Sequence, residues 1–296
     1  MGDGMFEAFR HDLWQEMIGG RRKPKLELLE RRPAKPRLKT PVLFVHGAYT
    51  GAWCWEDYFL PYFAEQGIHA FAVSLRGHGR SEGRQMLAAT SLADYVDDVA
   101  RTVEQLPAPP LLVGHSMGGM VVQKYLERQV KVPGVVLMAS VPPQGLGLPT
   151  LRLMLHDPWL LWQVSLIQHV DPSYANLETA RRMGFSESLS DEELQRHLAR
   201  FGPESSRAIW DMTVADLVCP WRIERPPMLV LGGEKDALFT QRMVQATARA
   251  YGVEAEIFPD MAHIMMLEPG WQQVADRINS WIETLEREQE GTAAAK

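Results

Sequence analysis

The sequence predicts an α/β fold in which helices cover both faces of a mostly parallel central sheet. Short apolar runs alternate with helical patterns over residues 42–139 and again over residues 228–288. Continuous apolar runs are typical of strands buried on both faces, as the strands of a parallel sheet are. Between the two stretches, residues 142–220 lack such runs and predict a helical insertion.

The strands are predicted from apolar runs that end at Gly, Pro or polar residues. In chain order the predicted strands are Lys25–Glu30, Val42–Val45, His69–Ser74, Leu111–Val113, Gly134–Ala139, Met228–Leu231 and Glu254–Phe258.

The helices between these strands are predicted from apolar residues spaced three and four apart. Gly67 is expected to end the first helix. Ser91 is a predicted N-cap, with Asp94 at the position that a capping box requires. The predicted helices are Trp53–Gln66, Ser91–Leu106, 240–251 and 271–288, and residues 289–296 are expected to form a disordered tail.

Residues 1–39 are expected to form an arm outside the main fold. An amphipathic helix is predicted over residues 5–18, followed by a basic, proline-containing linker in which residues 21–39 hold nine Lys or Arg and two Glu. The helix is expected to pack on the fold or on a second copy, so a homodimer through this helix or through the insertion is one possibility. Contact with an anionic membrane is the alternative.

The composition is that of an ordinary globular protein: 46% of the 296 residues are hydrophobic, and the net charge is −6. This charge argues against nucleic-acid binding. Charged residues interrupt the N-terminus, which does not resemble a signal peptide, and no apolar run is long enough to span a membrane. Cys54 and Cys219 are too few for a disulfide framework or a metal site. We therefore expect a cytoplasmic location.

The segment Gly114–Gly118, which reads Gly-His-Ser-Met-Gly, carries the strongest functional signal. It follows an apolar strand and precedes a helical pattern, so the sequence predicts a sharp strand–turn–helix with Ser116 at its apex. Such a turn projects the serine hydroxyl above the sheet. Ser116 is therefore the predicted nucleophile.

A serine nucleophile needs a base, and the base needs an orienting acid. His263 follows the last predicted strand and is the predicted base, and Asp236 follows the preceding strand and is the predicted acid. Glu234 and Asp260 are the competing carboxylates. All three predicted residues come after strand ends, where open α/β sheets place their sites.

Acyl transfer also needs backbone N–H donors for the developing oxyanion. Met117, directly after the nucleophile, and Ala48, in the turn after Val42–Val45, are the predicted donors. Tyr49 and His115 are expected to line the substrate pocket. His46 and His78 are interpreted as structural or pocket-lining residues.

With these motifs assembled, residues 40–285 resemble the capped α/β-hydrolase superfamily, in which the catalytic residues follow the order Ser, acid, His. The motifs that carry the resemblance are His46-Gly47-Ala48, Arg76–Ser81, Gly114–Gly119, Gly232–Asp236 and Ala262-His263. The stretch from His46 to Trp55 also looks like the plant-type methyl esterase and hydroxynitrile lyase group.

The resemblance implies a core formed by residues 40–141 and 221–288, with residues 142–220 as a helical lid. Trp159 and Trp162, in the apolar part of that lid, are candidate pocket residues. A serine at 116 disfavours the dehalogenases and epoxide hydrolases of the superfamily, which use aspartate there. Ser74 departs from the acidic residue that many relatives carry at the end of the second strand.

These observations predict a serine-dependent hydrolase of small to medium apolar or aromatic carboxylic esters. The chemistry needs no metal or organic cofactor. The same residues leave open a carbon–carbon bond hydrolase, a thioesterase, an acyltransferase, a lyase or perhydrolase, and a slow, receptor-like ligand-binding protein.

Overall fold

In the computed structural model, which describes residues 23–169 and 177–294, a seven-stranded sheet forms the centre of the fold. Its strand order is β1-β3-β2-β4-β5-β6-β7, and every neighbouring pair is parallel except β1 with β3. The strands are β1 (Glu27–Arg31), β2 (Val42–Val45), β3 (Ala70–Ser74), β4 (Leu111–His115), β5 (Val135–Met138), β6 (Met228–Gly233) and β7 (Ala255–Phe258). The predicted α/β fold class is confirmed.

Helices flank this sheet on both faces, because its two faces bury separate apolar clusters. The helices outside the insertion are α1 (Phe59–Glu65), α2 (Leu92–Gln105) and α3 (Met117–Leu126), with two more between β6 and the C-terminus. Ser91 and Asp94 form the predicted capping box at the start of α2.

The helix predicted over Trp53–Gln66 is shorter than expected. A 3₁₀ turn covers Ala52–Trp55, and the α-helix begins only at Phe59. Pro61 explains the late start, because its ring excludes a preceding turn of α-helix and is tolerated only in the first turn.

A set of helices lies between β5 and β6, as the sequence predicts for residues 142–220. Ser190 caps one of them by accepting a hydrogen bond from the Glu193 N–H. The α-helices are α4 (Gly147–His156), α5 (Pro158–His169), α6 (Leu177–Gly184), α7 (Asp191–Leu198) and α8 (Ser206–Trp210), followed by a π-helical turn (Asp211–Ala215) and a 3₁₀ turn (Pro220–Arg222).

The remaining helices are α9 (Gln241–Tyr251) and α10 (Trp271–Ala294). Helix α10 continues to residue 294, into the segment that the sequence analysis expects to be a tail. The helix predicted over residues 5–18 lies outside the described residues.

Strand β1 explains the unusual Ser74. Glu27 of β1 accepts a hydrogen bond from the Ser74 hydroxyl (2.7 Å), and this hydroxyl accepts one from the Ala52 N–H (2.8 Å). The edge strand thus supplies a carboxylate beside Ser74, at the end of β3.

Within the described part of the chain, no helix has both the length and the apolar composition that crossing a membrane requires.

Candidate active site

Ser116 lies in a tight turn between β4, which ends at His115, and α3, which begins at Met117. Its backbone has φ 52° and ψ −118°, a region that non-glycine residues rarely adopt and that costs on the order of 1–3 kcal/mol. The flanking glycines permit the turn. A Cβ at Gly114 would lie 2.6 Å from the Gly118 carbonyl oxygen, and one at Gly118 would lie 2.4 Å from the carbonyl oxygens of Val45 and His46.

The structure brings Ser116, His263 and Asp236 together in one chain of hydrogen bonds. The Ser116 Oγ lies 3.0 Å from the His263 Nε2, and the His263 Nδ1 lies 2.8 Å from the Asp236 Oδ2. Because a carboxylate can only accept, the Nδ1 carries the proton and the Nε2 is left to accept from the serine. All three residues are buried. This arrangement can activate the serine hydroxyl as a nucleophile.

Asp236 is held by the backbone that follows it. Its Oδ1 accepts hydrogen bonds from the N–H groups of Leu238 (2.8 Å) and Phe239 (2.9 Å), which leaves the Oδ2 for His263. The two competing carboxylates face solvent instead. Glu234 accepts from the Asp260 N–H (3.1 Å), and Asp260 pairs with Lys235 (2.6 Å).

Ala48, a predicted oxyanion donor, has a peptide plane of fixed orientation. The Gly47 carbonyl oxygen, in the same plane, accepts hydrogen bonds from the His46 Nδ1 (2.8 Å) and the Thr50 hydroxyl (2.9 Å). In a trans peptide the N–H points opposite to the C=O, so the Ala48 N–H points away from these donors. We find no hydrogen-bond acceptor for this N–H among the described residues.

Met117, the second predicted donor, is the first residue of α3. The first N–H groups of a helix have no intrahelical acceptor, and the helix dipole places partial positive charge there. This backbone can stabilise negative charge next to the Ser116 Oγ.

The buried histidines around the site are not all in the same charge state. His46 donates from its Nδ1 to Gly47 and accepts at its Nε2 from the Leu75 N–H (3.0 Å), so its ring is neutral, and burial lowers its pKa to about 3. Both nitrogens of His78 face acceptors, the Arg76 carbonyl and Glu204. Burial opposes charge on His78, but Glu204 raises the pKa of His78 above its usual value.

His115 lies beneath the site and contacts both sides of it. Its Nε2 donates to the His263 carbonyl oxygen (3.0 Å), and its buried Nδ1 has no hydrogen-bond partner among the residues that the structure describes. Burial lowers the pKa of His115 well below its usual value, so the ring stays neutral. A Cβ at Gly47 would lie 2.7 Å from that Nδ1, so the ring packs directly under the turn that carries Ala48.

A cavity of about 110 Å³ opens beside Ser116 and His263. Tyr49 and His115 line it, where the sequence places them. Its apolar walls come largely from the inserted helices and include residues that carry no sequence signal of such a role. They are Ile167, Ala180, Met183, Phe185, Leu198 and Phe201, with Ala48, Leu238 and Ile264 from outside the insertion.

Trp159 and Trp162, which the sequence analysis expects in the pocket, are not among the described residues that line this cavity. They stack on each other with ring centroids 4.8 Å apart, and 57% and 51% of their surfaces are exposed. They lie about one turn apart on α5, so one helical face carries both outward. Only the packing of α5 decides which face is covered.

Comparisons with known proteins identify the family to which this fold belongs. The model of the alpha/beta hydrolase family matches residues 42–277. Among curated relatives, a non-heme chloroperoxidase of Streptomyces lividans is 36% identical over 36% of this chain and 39% of its own length. Methyl jasmonate esterase 1 of Vitis vinifera is 32% identical over 39% of this chain and 45% of its own.

Other similarities extend further. A monoacylglycerol lipase of Mycolicibacterium smegmatis is 25% identical over 74% of this chain and 80% of its own length. An esterase of Exiguobacterium antarcticum has the same fold, with a TM-score of 0.70 at 18% identity over 90% of this chain and 97% of its own. The matches to the first two relatives span less than half of their lengths, whereas the family model spans most of this chain. The chain belongs to the alpha/beta hydrolase family.

Proposed function

We propose that this protein is a serine-dependent carboxylic-ester hydrolase acting on small to medium apolar or aromatic esters. The observation that carries the proposal is the continuous hydrogen-bond chain from Ser116 through His263 to Asp236. Relatives named as a methyl jasmonate esterase and a monoacylglycerol lipase support the same reaction class.

In the proposed mechanism, the Ser116 Oγ attacks the ester carbonyl carbon while the His263 Nε2 takes the hydroxyl proton. The tetrahedral intermediate collapses as His263 returns this proton to the leaving alcohol, which gives an acyl-enzyme. Water then gives a proton to His263 and attacks the acyl group, and the acid leaves as Ser116 is protonated again. Asp236 keeps His263 in the required tautomer and stabilises its charged form.

In this mechanism, the N–H groups of Ala48 and Met117 stabilise the negative charge that develops on the substrate oxygen. Both are backbone donors of fixed direction, and fixed donors need no reorganisation when charge develops. Removing one donor of this kind in other enzymes costs about 2.7–4 kcal/mol of transition-state stabilisation.

The cavity supports the proposed substrate class. Its volume of about 110 Å³ is smaller than the roughly 150 Å³ of an engineered cavity that accommodates benzene, which supports a short chain or at most one ring as the bound group. The lining is apolar apart from a few groups close to Ser116. We interpret residues 142–220 as a lid over the main fold, because this segment supplies most of the apolar side chains of the lining.

The proposal is tested with p-nitrophenyl esters from acetate to palmitate and with methyl esters of aromatic acids, using the wild type and Ser116→Ala. We expect turnover that falls toward palmitate and that is lost in the variant, with an unchanged circular-dichroism spectrum. A fluorophosphonate probe should label only the wild type.

Turnover that persists in Ser116→Ala would contradict the mechanism. A wild type that is labelled by the fluorophosphonate but hydrolyses none of the esters would refute the ester substrate class. It would favour carbon–carbon bond hydrolysis or a receptor-like role for the same residues.

A further inference from the structure

Tyr49 connects the oxyanion turn, here defined as residues 46–50, to the inserted helices. Its backbone has φ 64°, the left-handed region that non-glycine residues seldom adopt. All of its polar groups bond to the insertion. Its N–H donates to the Glu204 Oε2 (3.3 Å), its carbonyl accepts from the Gly202 N–H (2.8 Å), and its hydroxyl donates to the Gln168 Oε1.

Glu204 is a buried carboxylate whose two oxygens have different partners. The Oε1 accepts from the Tyr95 hydroxyl (2.7 Å) and the Ser205 N–H (2.6 Å). The Oε2 accepts from the His78 Nε2 (3.0 Å) and the Tyr49 N–H. Burial opposes the charge, but these donors, His78 above all, lower the pKa of Glu204 below its usual value, so it is ionised at neutral pH.

The bond to Tyr49 acts on the second of two consecutive peptide planes. The first plane, Gly47 to Ala48, is fixed from within the turn by His46 and Thr50. The second plane, Ala48 to Tyr49, is fixed from the insertion by Glu204. The Ala48 N–H belongs to the first plane, and the φ and ψ of Ala48 join that plane to the second. Fixing the second plane therefore restricts the rotations at Ala48 through which the first plane and its N–H could move.

We propose that Glu204 is a positioning residue for the oxyanion hole, so that the insertion completes the reaction machinery as well as covering the pocket. This inference rests on the proposed ester hydrolysis. A carboxylate that served only as the counter-ion of His78 would need its charge. A positioning role needs instead an acceptor oxygen within reach of the Tyr49 N–H.

Two conservative variants separate these roles. Glu204→Asp keeps the charge but shortens the side chain, and the bond to Tyr49, the longest of the four, should be lost first. Glu204→Gln loses the charge and one of the two acceptor oxygens, but its remaining amide oxygen has the reach to accept from the Tyr49 N–H and the His78 Nε2. Asp211→Asn is the matched control, because Asp211 is also a buried carboxylate of the insertion and accepts from a core amide, that of Leu92 (3.0 Å), without touching the turn.

Each variant is assayed for kcat and KM on the best ester, with rates expressed per Ser116 labelled by fluorophosphonate. We expect Glu204→Asp to lower kcat by about 10- to 100-fold with KM within about 2-fold, because a small misplacement of a catalytic group has effects of this size. Affinity for a boronic acid that mimics the tetrahedral intermediate should fall by the same factor. Glu204→Gln and Asp211→Asn should keep kcat within about 3-fold of the wild type.

The inference is overturned if Glu204→Gln loses kcat and Glu204→Asp keeps it, since the charge is then what matters. It is also overturned if both match Asp211→Asn, or if neither variant yields folded protein, since Glu204 is then a folding residue. A wild type without esterase activity refutes the proposed function instead, and the two failures are thereby distinguished.

Discussion

At the scale of single residues, the site depends on which polar atoms face each other. The loop after β6 carries Glu234 and Asp236 two positions apart, yet only Asp236 reaches His263. Two backbone N–H groups hold its other oxygen, while Glu234 bonds to the exposed Asp260 backbone. The chemical difference between two nearby carboxylates is thus set by direction alone.

Replacing Asp236 tests this assignment. Asp236→Asn should lower kcat by about 10⁴-fold, because an amide at this position favours the wrong tautomer of His263. Glu234→Gln, which removes a charge from the same loop, should stay within about 3-fold of the wild type. Steady-state kinetics on one ester decides the matter, and the reverse order of effects would make Glu234 the acid.

At the scale of elements, a sequence pattern predicted the structure correctly where its residues interact within one helical turn. The capping box at Ser91 and Asp94 is such a case, since both partners belong to the start of α2. The helix predicted over Trp53–Gln66 is the opposite case, where apolar spacing continued across a proline that the backbone could not accommodate in mid-helix. A pattern of side chains therefore located this element but not its start.

The cap of α2 makes a measurable contribution to stability. Ser91→Ala removes the hydroxyl that accepts from the Asp94 N–H (3.1 Å) and should lower the free energy of unfolding by about 1 kcal/mol. Ser280→Ala is the control, because this exposed serine lies inside α10 and only bonds back to the Asp276 carbonyl. Urea denaturation should show an unchanged free energy of unfolding for Ser280→Ala. Equal decreases in both variants would argue against a capping effect.

At the scale of the whole molecule, burial of histidines ties stability to pH. His46 and His115 are buried as neutral rings with lowered pKa values, so the unfolded chain binds protons there below pH 6.5 while the folded protein does not. The contribution of these two neutral rings to the free energy of unfolding is therefore lost as the pH falls. His78 acts in the opposite sense, because its pKa is raised: its contribution is complete below its usual pKa and is lost at higher pH.

For His46, whose pKa falls from 6.5 to about 3, the loss between pH 7 and pH 5 is about 2 kcal/mol. His46→Gln should be less stable than the wild type at pH 7, because it forfeits packing and the bond to Gly47. On acidification from pH 7 to pH 5, the free energy of unfolding of His46→Gln should fall by about 2 kcal/mol less than that of the wild type. Urea denaturation at both pH values measures this, and an identical acid dependence in both proteins would disprove it.

The sequence alone determined the parallel sheet, the turn that carries Ser116 and the hydrolase family to which the chain belongs. These features follow from local patterns: buried strands are continuously apolar, and a Gly-x-Ser-x-Gly turn needs small residues where its backbone crowds. The sequence also indicated that Asp236 and His263 follow strands, and parallel strands bring such positions to one edge.

Only the tertiary structure decided what the insertion contributes. The exposed face of α5, the apolar residues around the cavity and the bond between Tyr49 and Glu204 have no local signal. Those last two residues are 155 positions apart, and the motif that precedes Tyr49 gives no indication of Glu204 as its partner. Contacts of this kind form only when the chain packs, because a buried polar group is stable only with a hydrogen-bond partner and the tertiary fold determines which partner lies within reach.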